Sequence, residues 1–210
     1  SYMQLSDYAG RRENFHCTYE LCGSDFRVKT VWTASGEEGK RVPVYEISYH
    51  PPQSGQQGGS TTVQRIDGVN IVYHYSPALL TEAIRTYSPE GRLMKEMLFE
   101  WNEKQYLTAV ECKGEGGACL YRKEFEHDKF GNPVIERWIG DLTGQGVAKS
   151  KTIRRNFSKD GKHLLLREET EDGKILILKY LGSTHLVTAK YTLDRHRILL
   201  REFYQYDDHH

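Results

Sequence analysis

The sequence repeats one short pattern, a polar bend that contains a glycine and is followed by apolar residues. Four stretches show it clearly: TYSPEGRLMKE (86–96), EHDKFGNPVIE (126–136), NFSKDGKHLLL (156–166) and ETEDGKILIL (169–178). Gly91, Gly131, Gly161 and Gly173 hold equivalent places in them. A short hairpin loop usually needs one residue with a positive φ, which costs glycine nothing. The pattern therefore predicts that these four glycines lie in β-hairpin turns.

Weaker copies of the pattern fill the intervals between these stretches. They are WNEKQYLT (101–108), YLGSTHLVT (180–188) and TLDRHRILL (192–200), with Lys104, Thr184 and His196 in the presumed glycine position. Successive copies lie mostly 11 to 15 residues apart, which is the length of one strand and one turn. A chain that turns back at such intervals pairs each strand with the next. The sequence therefore predicts an all-β fold, an antiparallel meander of successive β-hairpins.

The pattern is strong over residues 81–210 and weak over residues 1–80, which predicts a hairpin array preceded by an N-terminal β segment. The weak part contains three strand-like runs, FRVKTVW, VPVYEISY and NIVYHY. HPPQSGQQGGSTT (50–62) combines proline, glycine and glutamine, and is predicted to be a mobile loop. LLTEAIR (79–85) is long enough for a short helix, but it runs into the turn pattern, so a strand is favoured.

The charge balance argues against nucleic acid as a partner. Lysine plus arginine and aspartate plus glutamate both number 29, so the formal net charge is zero. The basic excess that drives non-specific nucleic-acid binding is therefore missing. No apolar run in the sequence approaches the roughly 18 residues that a membrane-spanning helix needs. We expect neither nucleic-acid binding nor membrane insertion.

Side by side, these stretches resemble the YD repeats of the Rhs family, whose loose pattern is Tyr-Asp, a short spacer, Gly, Arg or Asn, and then Leu. EHDKFGNPVIE matches through His127–Asp128 and Gly131–Asn132, and TYSPEGRLMKE matches through Tyr87–Ser88 and Gly91–Arg92. The resemblance extends from about Thr81 to Asp208. It implies a ribbon of antiparallel strands that forms part of a shell around a toxic domain, or part of a cell-surface receptor. An unrelated protein built from β-hairpins is the alternative.

The resemblance implies a structural role for the chain. Its partners would be the remainder of a larger repeat protein or an enclosed toxin or effector polypeptide, and its location would be secreted or at the cell surface. The edge strands of a meander also expose unpaired N–H and C=O groups, so self-association through these edges is an alternative. The leading hypothesis is a non-catalytic shell segment that encloses or presents a toxin or a partner polypeptide.

Four cysteines occur as two close pairs. A turn at 114–117 would place Cys112 opposite Cys119, at a distance that suits a disulfide, so a disulfide and two free thiols are both open. The Cys17–Cys22 pair, together with His16, offers ligands for zinc. The spacing of the second pair is wider than structural zinc units use, and we expect no metal site.

The sequence contains no motif that predicts catalysis. Its histidines are scattered, and neither a zinc-protease motif nor a nucleophile in a strand-turn-helix context occurs. The adjacent carboxylates Glu168 and Glu169 point to opposite faces of a strand, which does not suit paired acid–base work. We therefore predict no catalytic residue, no cofactor and no enzyme activity.

Three tryptophans form the candidate ligand surface. Trp32, Trp101 and Trp138 lie in predicted strands, and exposed aromatic rings on a sheet stack on sugars or on peptide side chains. This gives the alternative function, an extracellular carbohydrate- or protein-binding module. Packing within the sheet is the structural alternative for the same rings.

Overall fold

The computed structural model describes residues 2–6, 12–22, 25–35, 40–52, 58–141, 146–182 and 184–207. Within these ranges the chain forms β-strands, their turns and one 3-10 turn at Glu115–Gly117. The strands pair antiparallel, and their order in the sheet follows their order in the chain. The prediction of an all-β antiparallel meander is confirmed. In the described part of the chain, no helix has the length and apolar character needed to cross a membrane.

The strands are short, and turns join most of them directly. In chain order the first eight are β1 (Tyr2–Ser6), β2 (Arg12–Cys22), β3 (Asp25–Ser35), β4 (Lys40–His50), β5 (Gly59–Arg65), β6 (Asn70–Tyr75), β7 (Thr81–Tyr87) and β8 (Leu93–Trp101). The next eight are β9 (Leu107–Lys113), β10 (Cys119–His127), β11 (Pro133–Gly140), β12 (Lys149–Phe157), β13 (Leu165–Thr170), β14 (Lys174–Tyr180), β15 (Val187–Asp194) and β16 (Arg197–Phe203).

The chain divides into two compact units, which are described separately. The first contains residues 1–98 and 113–118, and the second contains residues 99–112 and 119–210. The predicted boundary after residue 80 falls inside the first unit. The core of the second unit includes β9, where Ala109, Val110 and Cys112 are 2%, 7% and 1% exposed.

One turn geometry recurs along the chain, and we call it the repeated turn. It spans five residues: the N–H of the first donates to the C=O of the fifth, and the N–H of the fourth donates to the C=O of the first. It occurs at 65–69, 76–80, 88–92, 102–106, 114–118 and 128–132. The fourth residue has a positive φ in each case, between 61° and 87°. The bends at Gly91 and Gly131 therefore share one backbone conformation with four other turns. The bend at Gly161 closes differently, through a hydrogen bond from the Ser158 N–H to the Leu164 C=O.

The first residue of the repeated turn often fixes it with its side chain. The Asp128 carboxylate accepts hydrogen bonds from the N–H groups of Phe130 and Asn132, at 2.8 and 3.0 Å. Asn102 accepts from the equivalent two N–H groups, both at 3.0 Å. Ser76 and Ser88 accept from the N–H of the fifth residue of their turns, both at 3.3 Å. A short polar side chain at this position therefore replaces the bonding that the turn backbone lacks.

Glycine is frequent but not obligatory at the position of positive φ. Gly91, Gly131, Gly161 and Gly173 have φ between 77° and 89°, as the hairpin interpretation requires. In the weaker copies the predicted positions are displaced by one or two residues. Gln105, Gly182 and Arg195, rather than Lys104, Thr184 and His196, have positive φ. Because strand pairing on both sides forces the turn to close, a residue other than glycine is held in a conformation that costs about 1 kcal/mol or more.

Gln105→Gly is expected to raise the free energy of unfolding by about 0.5–1 kcal/mol, since glycine removes the strain of the positive φ at that position. Lys104→Gly is the matched control, because Lys104 lacks a positive φ and glycine there only increases the freedom of the unfolded chain. Urea denaturation of both variants measures the difference. Stabilisation by Lys104→Gly, or destabilisation by Gln105→Gly, would contradict this assignment of the turn.

The bounds of one predicted loop in the first unit are wrong, and one strand prediction there is confirmed. The predicted loop 50–62 is shorter, because His50 ends β4 and residues 59–62 belong to β5. Its centre, residues 53–57, lies outside the described residues. The LLTEAIR stretch contains the start of β7 and no helix, as the continuation into the next turn favoured.

Candidate functional site

The most buried charged cluster of the second unit, as far as the chain is described, has Arg155 at its centre. Arg155 on β12 lies directly opposite Glu168 on β13, and Glu136 on β11 faces the neighbouring Ile153. The Arg155 Nε donates to Glu168 at 2.7 Å, and its Nη1 donates to Glu136 at 2.8 Å. The Arg155 side chain is 17% exposed and that of Glu136 is 12% exposed. We call these three residues the Arg155 cluster.

The electrostatics of the Arg155 cluster favour its charged form. Burial of the guanidinium tends to lower the pKa of Arg155, but hydrogen bonds to Glu168 and Glu136 outweigh this effect and raise the pKa above its ordinary value. Arg155 therefore stays charged and joins three adjacent strands by ion pairs. Such an arrangement makes the sheet face rigid and polar, and a half-buried ion pair of this kind depends strongly on both partners being present.

Trp138 extends the Arg155 cluster towards β10. Its Nε1 donates to Glu136 at 2.7 Å, and the Tyr121 ring lies 5.9 Å away between ring centroids. Lys123, directly opposite on β10, places its Nζ 3.5 Å from the centroid of the Trp138 ring. A cation–π contact therefore occupies one face of the Trp138 ring.

The three tryptophans belong to different units of the chain. Trp32 belongs to the first unit, whereas Trp101 and Trp138 belong to the second. All three side chains are half-buried. The Trp32 Nε1 is buried and has no hydrogen-bond partner among the described residues. These positions favour packing within the sheet over the predicted ligand platform.

A second polar cluster joins two turns of the second unit, and we call it the turn cluster. Asn132, which is 4% exposed, donates from its side chain to the Asp128 carboxylate at 2.9 Å. The His163 Nδ1 lies 2.6 Å from Asn132 Oδ1. Since Asn132 uses its amide N–H towards Asp128, its oxygen is the acceptor and His163 donates. The Asp-x-x-Gly-Asn stretch thus fixes its own turn and binds the turn that connects β12 to β13.

The turn cluster makes stability depend on pH. The side-chain hydrogen bond from Asn132 holds the pKa of Asp128 below its ordinary value of 3.8, with further help from the N–H groups of Asn132 and Phe130. A lowered pKa in the folded state contributes stability that is complete above about pH 4 and is lost as pH falls through the folded-state pKa. Asp128→Asn removes this dependence.

We therefore expect Asp128→Asn to destabilise the chain at pH 7, and the difference from the unsubstituted protein to shrink below pH 4. Thermal unfolding followed by circular dichroism from pH 2.5 to pH 7 measures this difference. Asp207→Asn is the control, because Asp207 lies outside every turn of this type. A difference that stays constant across the pH range would contradict the role of the Asp128 charge.

Arginine pairs with carboxylates elsewhere in the second unit as well. Arg122 on β10 binds Glu100 through both terminal nitrogens, at 2.8 and 3.1 Å, and Glu124 through Nε at 3.1 Å. Hydrogen bonding to Arg122 holds the pKa of Glu100 below its ordinary value. Arg122 and the residues of the Arg155 cluster lie on opposite faces of the strands, as the pairing of Lys123 with Trp138 and Arg122 with Ile139 shows.

The first unit contains a smaller cluster around Arg85. Arg85 donates from Nε to Glu96 at 2.8 Å and from Nη1 to His74 Nε2 at 3.2 Å. Burial, followed by the charge of Arg85, holds the pKa of His74 below its ordinary value. His74 is therefore a neutral acceptor and is not available as a proton donor at this nitrogen.

The cysteines depart from their predicted arrangement. The Gly114 N–H bonds to the Ala118 C=O, so the turn is one residue out of register with the predicted one. Cys112 is buried, whereas Cys119 is exposed, and Cys112 is a free thiol. This geometry does not favour the disulfide between Cys112 and Cys119.

The zinc alternative receives no support from the described residues. The Cys22 side chain lies outside them. Among the side chains that the structure does describe, no group of three or more His, Cys, Asp or Glu residues is placed to hold a metal ion.

Sequence reasoning missed the Arg155 cluster and the turn cluster. The partners of Arg155 are 13 and 19 residues away in the chain, so they are identified only once the strand register is known. One signal was available in the sequence. Arg155 lies between Ile153 and Phe157 at alternate positions of β12, which places a charge between two apolar residues.

Taken together, the fold and these clusters define an all-β hairpin-repeat protein with polar, ion-paired sheet faces. No protein-family model matches the chain, and no curated protein matches it. The similarity found is therefore one of structure.

Solved structures of toxin chains share the fold at low sequence identity. A chain of the TcdB2-TccC3-Cdc42 crystal structure matches with a TM-score of 0.59 and 10% identity, covering 89% of this chain and 10% of that one. A chain of the Photorhabdus luminescens Tc holotoxin pore matches with a TM-score of 0.54 and 10% identity, covering 98% of this chain and 12% of that one. This chain thus spans about a tenth of the length of the toxin chains.

A porin-like protein from Bacteroides uniformis ATCC 8492 matches with a TM-score of 0.45 and 11% identity, covering 97% of this chain and 86% of that one. At that score the likeness carries no structural argument.

Proposed function

We propose that the chain is a non-catalytic wall segment of a shell built from Rhs/YD-like repeats, and that the shell encloses or presents a toxin or a partner polypeptide. The observation that carries this proposal is the repeated turn. One backbone conformation, closed by the same pair of hydrogen bonds, turns the strands back in succession from β5 to β11. Strands turned back in this way each pair with the next one along the chain, as the wall of a shell requires.

The turn chemistry supports the resemblance to YD repeats. Asp128 occupies the Asp position of the repeat, and its carboxylate holds the N–H groups of Phe130 and Asn132. Gly131 occupies the glycine position and has a φ of 87°. The Asp, spacer, Gly-Asn order thus has a physical reason in this chain, because the carboxylate and the glycine together close one turn.

The fold likeness to toxin chains agrees with this proposal, as does the small share of those chains that this chain spans. The mechanism that we propose is enclosure: the hydrogen-bonded sheet excludes proteases and solvent from the enclosed polypeptide. The Arg155 cluster and its counterpart at Arg122 would keep both faces of the sheet polar without leaving charges unpaired. The protein would act in a secreted particle or at the cell surface.

Limited proteolysis of the protein expressed from its natural gene tests enclosure. Mass spectrometry of the fragments should show a polypeptide outside these strands that resists proteinase K in the native protein. Gly140→Ala places a Cβ against the backbone of β10 and so should open the sheet and make that polypeptide digestible. The milder control Gly161→Ala, whose Cβ meets no atom within 4 Å, should leave it protected. Equal digestion of that polypeptide in all three proteins would overturn the proposal.

A further inference from the structure

A groove of about 800 Å³ lies on the second unit, beside the turn at 128–132 and the end of β12. Its apolar wall includes Phe130, Val134, Phe157 and Leu166. Lys129 and Lys159, both exposed, line the same groove. This volume is in the range of sites that bind small ligands or single peptide side chains.

A β-bulge presents the apolar wall of the groove. In the pairing of β12 with β13, Asn156 faces Arg167 and Phe157 faces Leu165, so Leu166 has no partner in the register. An unpaired bulge residue is turned away from its regular position, and bulges often aim a side chain at a site. The Leu166 side chain is accordingly 39% exposed, although it belongs to the interior of a strand.

The charge available in the groove is positive. The Asp128 carboxylate is engaged by Asn132 and by the turn backbone. Arg155, which also lines the groove, is held between two glutamates. The Lys129 Nζ lies 4.8 Å from the centroid of the Phe130 ring, and Lys129 is exposed. The cationic side chains that line the groove, Lys129, Arg155 and Lys159, therefore outnumber its one carboxylate, Asp128.

We propose that this groove binds an extended segment of the enclosed polypeptide, one that presents a large apolar side chain next to carboxylates. The apolar side chain would pack on Phe157 and Leu166, and the carboxylates would pair with Lys129 and Lys159. The identity of the partner rests on the proposed function, whereas the chemistry of the segment rests on the groove itself. Charge complementarity selects an acidic segment over a basic one.

Fluorescence anisotropy with a labelled peptide of about ten residues tests this inference on the full chain. The probe carries Leu-Phe-Asp-Glu at its centre between Gly-Ser flanks, and the matched peptides carry Leu-Phe-Lys-Lys or Ser-Ser-Asp-Glu. We expect Lys129→Glu with Lys159→Glu to weaken binding of the first peptide at least about tenfold, and Leu166→Ser to weaken it about fivefold. Lys95→Glu with Lys104→Glu, the same charge change on exposed lysines elsewhere, should leave binding unchanged.

Methyl NMR of the leucine-labelled protein locates the contact. The Leu166 signals should shift when the acidic peptide is added, and those of Leu120, which is also exposed, should not. Equal binding of the three peptides, or binding that ignores the Lys129 and Lys159 changes, would overturn the inference. A negative result in these binding experiments does not contradict enclosure, because protection from proteinase K does not require this groove. Conversely, peptide binding without protection from proteinase K would contradict the proposed shell and support the proposed binding groove.

Discussion

Gly140→Ala is expected to lower the free energy of unfolding by about 3–4 kcal/mol, the largest effect that we predict for a single methyl group. Gly140 ends β11 with a φ of 144°, and an added Cβ would lie 2.5 Å from the Leu120 carbonyl oxygen and 2.7 Å from the Tyr121 Cα. Both atoms belong to the backbone of β10, so no side-chain rotation relieves the clash. The paired strands must separate locally, and the hydrogen bonds at this end of the pair are lost.

Gly161→Ala is the matched control in the same unit. Gly161 also has a positive φ, of 77°, but an added Cβ there meets no atom within 4 Å. Its expected cost is therefore the conformational one alone, about 1 kcal/mol. Urea denaturation followed by tryptophan fluorescence compares the two variants. Equal losses of stability would show that the close approach at Gly140 does not limit the packing of β10 against β11.

Arg155→Met is expected to lower the free energy of unfolding by about 2–3 kcal/mol, since it leaves two half-buried carboxylates without their partner. Methionine keeps much of the volume and the apolar contacts of the arginine stem, so the loss reports on the charge and its hydrogen bonds. Chemical denaturation at pH 7 measures the effect. Arg154→Met is the control: Arg154 is the next residue along β12 and is exposed, so it should cost little.

A rescue experiment separates the ion pairs from packing. Adding Glu136→Gln and Glu168→Gln to Arg155→Met removes the two unpaired charges and should restore at least about half of the lost stability. No recovery would mean that Arg155 acts through packing, and a cost for Arg154→Met equal to that of Arg155→Met would contradict the Arg155 cluster as a distinct feature.

The turn pattern made the fold predictable from the sequence. A position with a positive φ can be recognised in the sequence when glycine occupies it, as at Gly91, Gly131, Gly161 and Gly173. The regular spacing of those glycines then predicts the strand length and the antiparallel pairing. The paired strands force other residues into this conformation at some turns, and the sequence does not distinguish these residues. Gln105 and Arg195 were therefore not identified as residues with a positive φ.

The main feature that could not be predicted from the sequence was the strand register, which determines the residues that lie opposite each other on neighbouring strands. The stretch from Cys112 to Cys119 contains three glycines, and each permits a different turn, so the pairing was displaced by one residue. A shift of one residue moves a side chain to the other face of the sheet. The predicted disulfide depended on that register.

The Arg155 cluster also depends on the strand register, and the groove depends on a β-bulge as well. Glu136, Arg155 and Glu168 come from three strands and meet only because each strand pairs as it does. The bulge that exposes Leu166 results from a mismatch of one residue between β12 and β13. Alternation within one strand predicts which residues share a face, but it does not predict which residues of the neighbouring strand lie opposite them.

Cryo-electron microscopy of the protein expressed from its natural gene tests the central claim most directly. The account predicts that the strands described here form part of a larger antiparallel wall, with density for a separate polypeptide segment against one face of the sheet. A sheet with solvent on both faces would contradict it, and so would strands whose side chains line the active site of an enzyme.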